Sequence, residues 1–310
     1  KIMHALIGSA IGTAAGVITY NVFPDGIELL ANALIRAFQF LVYSNLYLGL
    51  VLGGFSFHGF GSCTEYRIEY SLLIASSSIA VYTFHALFGL RYIQEEIRSD
   101  RHKWLNKNRS VLWATTAFLG LLSLLQLTSI PNIIPLLLPA LGLTAFYVLP
   151  IFGKRLRDLN YAKVFLVSAV VCYLCRFIPQ YINGQTSWDL FFLFELLLCF
   201  AFLFLLTMPF DLRDQNIERR LKTKTHINKT DSKQAFKFVF VGLGVCILGL
   251  LLLSRSHPET FSWRLFEIAA LVFAFLAIFV PERNQKELFY PLFFEGPLLL
   301  MGLFSIYLSI

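Results

Sequence analysis

Three carboxylates are spaced along one stretch of the chain in a way that suits metal binding. Asp211, Asp214 and Glu218 follow an apolar run at positions i, i+3 and i+7, so a helix that continues through them places all three on one face. Carboxylates crowded on one face repel one another unless a cation lies among them. Mg²⁺ suits such a face, because it takes few carboxylates and keeps positions open for water or phosphate. The alternative is a solvated helix end, neutralised by Arg213 and by the two arginines after Glu218.

The composition is that of an integral membrane protein. Of the 310 residues, 57% are hydrophobic and 15% are charged, with a mean hydropathy of +0.66, whereas soluble domains carry about a quarter charged residues. The net charge of +7 is confined to short loops between apolar runs, which indicates membrane topology and excludes nucleic acid as a partner. Membrane lipid is the expected surrounding. Cys172 and Cys175 lie within an apolar run without a partner, so they are interpreted as core packing.

Apolar runs near the length of about 20 residues that crosses a bilayer as a helix recur along the whole chain. They fall at 5–22, 28–57, 70–90, 112–129, 132–150, 161–178, 188–209, 234–254, 261–280 and 289–309. Lys and Arg are concentrated in alternate connections, namely 91–111, 151–160, 210–237 and 281–288. This asymmetry predicts that these four loops, including the one with the three acids, are cytoplasmic. We expect a bacterial cytoplasmic (inner) membrane protein.

The chain divides into two unequal parts if the run at 28–57 is the first helix of the main body. Residues 28–310 then form a nine-helix membrane domain, and residues 1–27 form an accessory N-terminal apolar helix with its connector. Glycines repeat every four residues in that first run, a pattern that permits close helix packing. The run at 25–36 also resembles the start of dicarboxylate symporters, which keeps a transporter among the alternatives.

Three stretches together resemble the UbiA superfamily of intramembrane prenyltransferases. They are Phe210-Asp-Leu-Arg-Asp214 with the basic Leu221-Lys-Thr-Lys-Thr225, Phe146-Tyr147-x-x-Pro150 with Lys154-Arg-Leu-Arg157, and Arg101-His-Lys-Trp-Leu-Asn-Lys-Asn108. The first is similar to the family's second acidic motif, and the others to connections next to its helices. The likeness spans about 40–310. It implies an all-α, UbiA-like bundle of nine transmembrane helices around a cavity open to lipid, here with one extra N-terminal apolar helix.

The resemblance also implies a chemistry. In the family, two acidic motifs face each other and hold Mg²⁺, which binds an isoprenoid diphosphate. The allylic cation that forms is captured by a small acceptor, often aromatic, in a cavity that excludes water. Asp211 and Asp214 match the first two acids of the second motif, and Glu218 stands where a third aspartate is usual. These three are therefore the expected metal ligands and catalytic residues.

The first acidic motif is missing from the chain. Where the family has Asn and Asp, the exit of the second helix carries His85 and Arg91. Arg91 would bind phosphate directly and so take the place of one metal ion. His85 is either a site residue or a hydrogen-bonded packing residue. The side chains expected to contact the diphosphate are His85, Arg91, Arg157, Lys222 and Lys224. For the cationic ones the alternative is a role as cytoplasmic topology anchors.

Three functions follow as hypotheses. The first is a divergent prenyltransferase that moves an isoprenoid group from a polyprenyl diphosphate to an acceptor with Mg²⁺. The second is a catalytically silent UbiA-like subunit that binds lipid or other membrane subunits in a complex. The third is a transporter, which would require ionisable residues deep in several helices. The main such residues are Arg36, Arg176 and Glu195, and all lie within reach of helix ends.

Overall fold

Every regular element that the structure describes is a helix. The computed structural model describes residues 24–61, 65–90, 99–148, 162–184, 189–220, 232–256, 261–278 and 288–309. The α-helices are α1 Pro24–Tyr43, α2 Leu46–Gly59, α3 Arg67–Gly89, α4 Asp100–Lys107, α5 Arg109–Gln126, α6 Ile133–Val148, α7 Ala162–Cys172, α8 Ile178–Ile182, α9 Leu190–Arg220, α10 Ser232–Ser256, α11 Phe261–Ala277 and α12 Gly296–Tyr307. Two π-helical segments, Tyr173–Phe177 and Pro291–Glu295, lead into α8 and α12.

The helices are those of an integral membrane protein, as the composition predicts. In the described part of the chain, five helices are long and apolar enough to cross a membrane. Their spans are Arg67–Gly89, Arg109–Ser129, Lys163–Ile182, Leu190–Phe210 and Lys237–Arg255. α1 and α2 together would make a sixth, and α6 and α12 are shorter apolar helices. The total of nine stays a prediction, and of the accessory segment 1–27, residues 1–23 lie outside the described residues.

The apolar run at 28–57 is not one helix. It forms α1 and α2, which meet at an angle of 73°. Asn45 at the break has φ 61°, a left-handed conformation that Asn adopts more readily than most residues. The Asn45 amide donates to Thr83 Oγ1 at 3.1 Å, and Arg101 donates to Asn45 Oδ1 at 2.7 Å. Side chains of α3 and α4 thus stabilise the bend. The prediction of a single helix over 28–57 was wrong because these contacts come from distant parts of the chain, which the local hydropathy pattern does not show.

Small residues let α2 approach its neighbours closely. It packs against α3, against α12 and against the π-helical segment before α8. A Cβ on Gly302 of α12 would lie 2.5 Å from the Cα of Gly54, and one on Gly59 would overlap the carbonyl oxygen of Cys175. Without a hydrophobic driving force between helices in lipid, such close backbone packing is a main source of association.

The π-helical segment before α8 has an identifiable cause. Pro179 has no N–H to donate to the carbonyl four residues earlier, and its ring would crowd that carbonyl, so the helix widens at this point. The carbonyl is that of Cys175, the one that faces Gly59. α8 in turn provides a hydrogen-bond donor for the last carbonyl of α2, since the Gln180 side chain donates to the Gly59 carbonyl at 2.8 Å. Asn183 likewise donates to the carbonyl of Phe60 at 2.7 Å.

We predict that Gly302→Ala destabilises the bundle through the contact of α12 with α2. The new methyl meets backbone of Gly54 rather than a movable side chain, so the free energy of unfolding should fall by about 1–3 kcal/mol. Gly244→Ala is the matched control, because nothing lies within 4 Å of a Cβ there. The control should be neutral or slightly stabilising. Denaturant titrations of both variants in the same detergent measure the difference, and equal midpoints would refute close packing at Gly302.

Candidate functional site

The acidic stretch lies on the continuation of α9. This helix runs through Pro209 to Arg220, so the first eleven residues of the predicted loop 210–237 are helical. At about 100° per residue, the positions of Asp211, Asp214 and Glu218 fall within about 60° of one another. The condition for a shared acidic face is therefore met by the backbone. The side chains of 211–220 lie outside the described residues, and their role as metal ligands stays a prediction.

The same helical register separates the acids from two neighbouring arginines. The positions of Arg213 and Arg220 lie about 180–200° round the helix from Asp211, on the opposite face. Arg219 lies nearer, about 80° away. The alternative interpretation, in which each acid is neutralised by an adjacent arginine, therefore fits the observed helix less well than it would fit an irregular loop. The three acidic positions fall along one side of α9.

Most of the other predicted site residues are not placed. Arg91, Arg157, Lys222 and Lys224 lie outside the described residues. His85 is in α3, half-buried, on a helix face shared with the more exposed Tyr82 and Phe88. Whether these side chains meet the acidic face stays a prediction. Within the described ranges no three His, Cys, Asp or Glu side chains are grouped to hold a metal ion, and the side chains of the acidic face lie outside those ranges.

A second group of charged residues was not predicted as a unit. Arg264 at the start of α11 donates to Glu195 in α9. Arg176, in the π-helical segment, has its guanidinium 3.8 Å from Glu195 Oε2 and 3.6 Å from Glu267 Oε1. His58 Nε2, near the end of α2, lies 2.8 Å from the same Glu267 oxygen. We call these five residues the charged cluster.

The charged cluster is buried and balanced. Side-chain exposure ranges from 2% for His58 to 14% for Arg176 and Glu195. Two guanidinium groups face two carboxylates, so the net charge is zero when the imidazole is neutral. Because a carboxylate only accepts, Nε2 of His58 carries the hydrogen that it donates to Glu267. The other ring nitrogen, Nδ1, lies 2.7 Å from Ser305 Oγ in α12. Five segments are tied together by these charge-assisted contacts.

The charged cluster lies at the opposite end of the bundle from the acidic face. Glu195 is near the beginning of α9 and Asp211 near its end, about 24 Å apart at about 1.5 Å per residue. His58, Arg176 and Arg264 also stand beside connections that are predicted to be non-cytoplasmic. Sequence reasoning singled out Arg176 and Glu195 as deep charges. It missed the other three, although Arg264 and Glu267 at i, i+3 in an apolar run were a usable signal.

A small cavity borders the charged cluster. It measures about 40 Å³. Its polar wall is formed by Arg176, Glu195, Arg264 and Glu267, and the rest of its lining is mostly apolar and aromatic. Cys199 also borders it, whereas the predicted core cysteines Cys172 and Cys175 are buried in packing, as expected. A space of this size holds a few water molecules but no isoprenoid chain.

The fold is shared with proteins of known structure. The chain matches a UbiA homolog from Archaeoglobus fulgidus bound to GPP and Mg²⁺, with a TM-score of 0.62 and 13% identity, over 86% of this chain and 99% of that one. The same homolog bound to DMAPP and Mg²⁺ gives a TM-score of 0.61 at 13% identity, over 86% and 98%. No family model and no curated protein matches the sequence. The predicted all-α, UbiA-like membrane fold is confirmed.

We predict that the charged cluster stabilises the bundle only as a set. Glu195→Ala leaves two buried guanidinium groups short of a partner, so the free energy of unfolding should fall by about 3–5 kcal/mol. The double variant Glu195→Leu with Arg264→Met should recover much of that loss. Lys103→Ala is the control, since Lys103 pairs with Asp100 at 3.9 Å in water-exposed positions and should change stability by no more than about 1 kcal/mol. An effect of Glu195→Ala as small as the control would contradict the role of the cluster.

Proposed function

We propose that this protein is a divergent membrane-embedded prenyltransferase that transfers an isoprenoid group from a polyprenyl diphosphate to an acceptor. The observation that carries the proposal is the fold likeness over 86% of the chain together with an acidic face on α9. On that face Asp211 and Asp214 match the first two acids of the family's second acidic motif, and Glu218 stands where a third aspartate is usual. The matched homolog binds GPP or DMAPP with Mg²⁺, and the donor class and the metal are proposed here by that analogy.

The residues of the acidic face fit a magnesium ion. Asp211, Asp214 and Glu218 offer carboxylate oxygens, which Mg²⁺ prefers, from positions along one side of a continuous helix. Few ligands come from the chain, so the remaining positions suit diphosphate oxygens. When bound, the metal would neutralise the charge of the departing diphosphate. Arg91, Arg157, Lys222, Lys224 and His85 are proposed to donate to the same diphosphate.

The bundle interior below the acidic face is apolar and aromatic. Phe210, the residue before Asp211, has its ring 6.1 Å from that of Tyr290. Phe289 and Phe294 pack in the same buried group, with ring centroids 6.1 Å apart. Such rings exclude water from a reacting cation and make an apolar wall for an isoprenoid chain. An acceptor that reacts here would be small, and an aromatic acceptor would suit this wall.

The same aromatic packing favours a second candidate, the catalytically silent subunit. Rings that fill the interior leave less room for a substrate, and the absence of the first acidic motif from the sequence removes one of two metal sites. A silent relative would keep the fold as a surface for lipid or for other membrane subunits. The two candidates differ in whether diphosphate is released.

We expect purified protein in lipid nanodiscs to release diphosphate from a panel of isoprenoid diphosphates when Mg²⁺ is present. Asp211→Asn and Asp214→Asn should each lower the rate at least about a hundredfold, because a metal ligand is lost while size is kept. Asp189→Asn is the matched control at the other end of α9. There Asp189 caps the helix by accepting from the Phe192 N–H at 2.8 Å, and Asn caps equally well.

The outcomes separate the candidates. Metal-dependent release that survives both acidic-face variants would refute the proposed site. No release by the wild type with any donor and acceptor would favour the silent subunit.

We also propose that the acidic-face loop is cytoplasmic, and a labelling experiment tests it. In a variant without native cysteines, a cysteine in place of Lys224 should react with a membrane-impermeant maleimide only in inverted vesicles. A cysteine in place of Ser187 should react only in right-side-out vesicles. The reverse pattern would place the acidic face on the other side of the membrane.

A further inference from the structure

Arg176 is paired by charge but not by hydrogen bonds. Its guanidinium nitrogens lie 3.6 Å from Glu267 and 3.8 Å from Glu195, which is beyond the distance of a direct N–H···O bond. Among the described residues, no hydrogen bond starts from the five N–H donors of this side chain. Guanidinium donors that find no acceptor within the protein are usually satisfied by water or by a ligand.

The other members of the charged cluster are better satisfied. Arg264 donates to Glu195 and has its guanidinium 5.6 Å from the ring centre of Phe191. His58 bridges Glu267 and Ser305 with its two ring nitrogens, at 2.8 Å and 2.7 Å. Within the charged cluster, the lack of hydrogen-bond acceptors is therefore specific to Arg176.

The cavity lies where the acceptors are missing. Arg176 is among its lining residues, and so are both carboxylates that flank it. Its volume of about 40 Å³ exceeds the roughly 10–15 Å³ that one water needs. The rest of the lining is mostly apolar, with Leu198, Phe202 and other large side chains. An occupant thus meets hydrogen-bond donors and acceptors as well as hydrocarbon.

We propose that this cavity is a binding site for an uncharged hydroxyl group, which accepts from Arg176 and donates to Glu195 or Glu267. Charge decides against an ion, since the surrounding cluster is already balanced and an added charge would be unpaired in a low-dielectric interior. Both a donor and an acceptor are required, because the polar wall offers both. Two sources supply this chemistry. One is water, and the other is the hydroxyl end of an alcohol dissolved in the bilayer. Because the cavity is too small for a hydrocarbon chain, the tail of such an alcohol would stay in the surrounding lipid.

The site is separate from the proposed diphosphate site. The axial distance of about 24 Å between Glu195 and Asp211 places it near the other surface of the membrane. Its occupancy requires neither Mg²⁺ nor turnover. A negative result here leaves the proposed function untouched, and a catalytically silent protein would still bind the hydroxyl group.

Equilibrium binding of radiolabelled 1-dodecanol to the protein in nanodiscs tests the bilayer source. Dodecyl methyl ether is the matched competitor, because it accepts but cannot donate a hydrogen bond. We expect saturable binding of the alcohol that the ether displaces poorly. Arg176→Met should weaken binding at least about tenfold, the effect of losing a hydrogen bond to a charged group. Arg255→Met removes an exposed charge at the end of α10 and should leave binding unchanged.

The double variant Arg176→Met with Glu267→Gln guards against unfolding, because it removes one charge of each sign. Its binding should be as weak as that of Arg176→Met, with a monodisperse profile in detergent. The water source is tested by an experimental structure of the wild type at a resolution that shows ordered water.

Each outcome is informative. Saturable dodecanol binding that depends on Arg176 supports the site with a bilayer-dissolved ligand. No such binding, but water density within hydrogen-bond distance of the Arg176 guanidinium, supports the site with water. Binding that is equal in Arg176→Met and wild type, or an empty cavity without binding, overturns the proposal.

Discussion

A charged side chain inside the membrane finds no partner in hydrocarbon, so it must be paired within the protein. This constraint determines how the helices of this protein pack. The guanidinium of Arg264 is satisfied by Glu195, and Glu267 is satisfied by His58 with Arg176 beside it. These residues come from α2, the π-helical segment before α8, α9 and α11. Rotation or sliding of any one of these elements would therefore leave a charge unpaired in the bundle. The apolar remainder of each helix surface would tolerate many arrangements. The charged cluster selects one register among them.

That selection depends on backbones that approach closely. His58 reaches Glu267 from the last turn of α2, and α2 is held against α12 at Gly54 and Gly302. One residue beyond His58, Gly59 leaves room for the carbonyl that Pro179 releases in the π-helical segment. That segment carries Arg176. Small residues at the contacts and polar residues at the helix ends are thus two parts of one packing solution.

The sequence predicts whatever depends on local pattern. Membrane character, helical class and the acidic face of α9 follow from hydropathy and from a spacing of three to seven residues, and each of these patterns is complete within one helix. The break at Asn45 and the charged cluster depend on partners elsewhere. Glu195 and Arg264 are 69 positions apart, and His58 and Glu267 are 209 apart. Deep charges can be recognised from sequence, but which of them pair is decided by the packing of the whole bundle.

The two ends of α9 differ in electrostatic character, and the difference bears on where chemistry belongs. Inside the bundle, the two negative charges of Glu195 and Glu267 are matched by the two positive charges of Arg176 and Arg264. Near Asp211 three acidic positions share a side of the helix, while Arg213 and Arg220 fall on the other side. A cation at these positions would reduce the repulsion among the three acids. This is why the magnesium site is proposed at this end of the helix and not at the other.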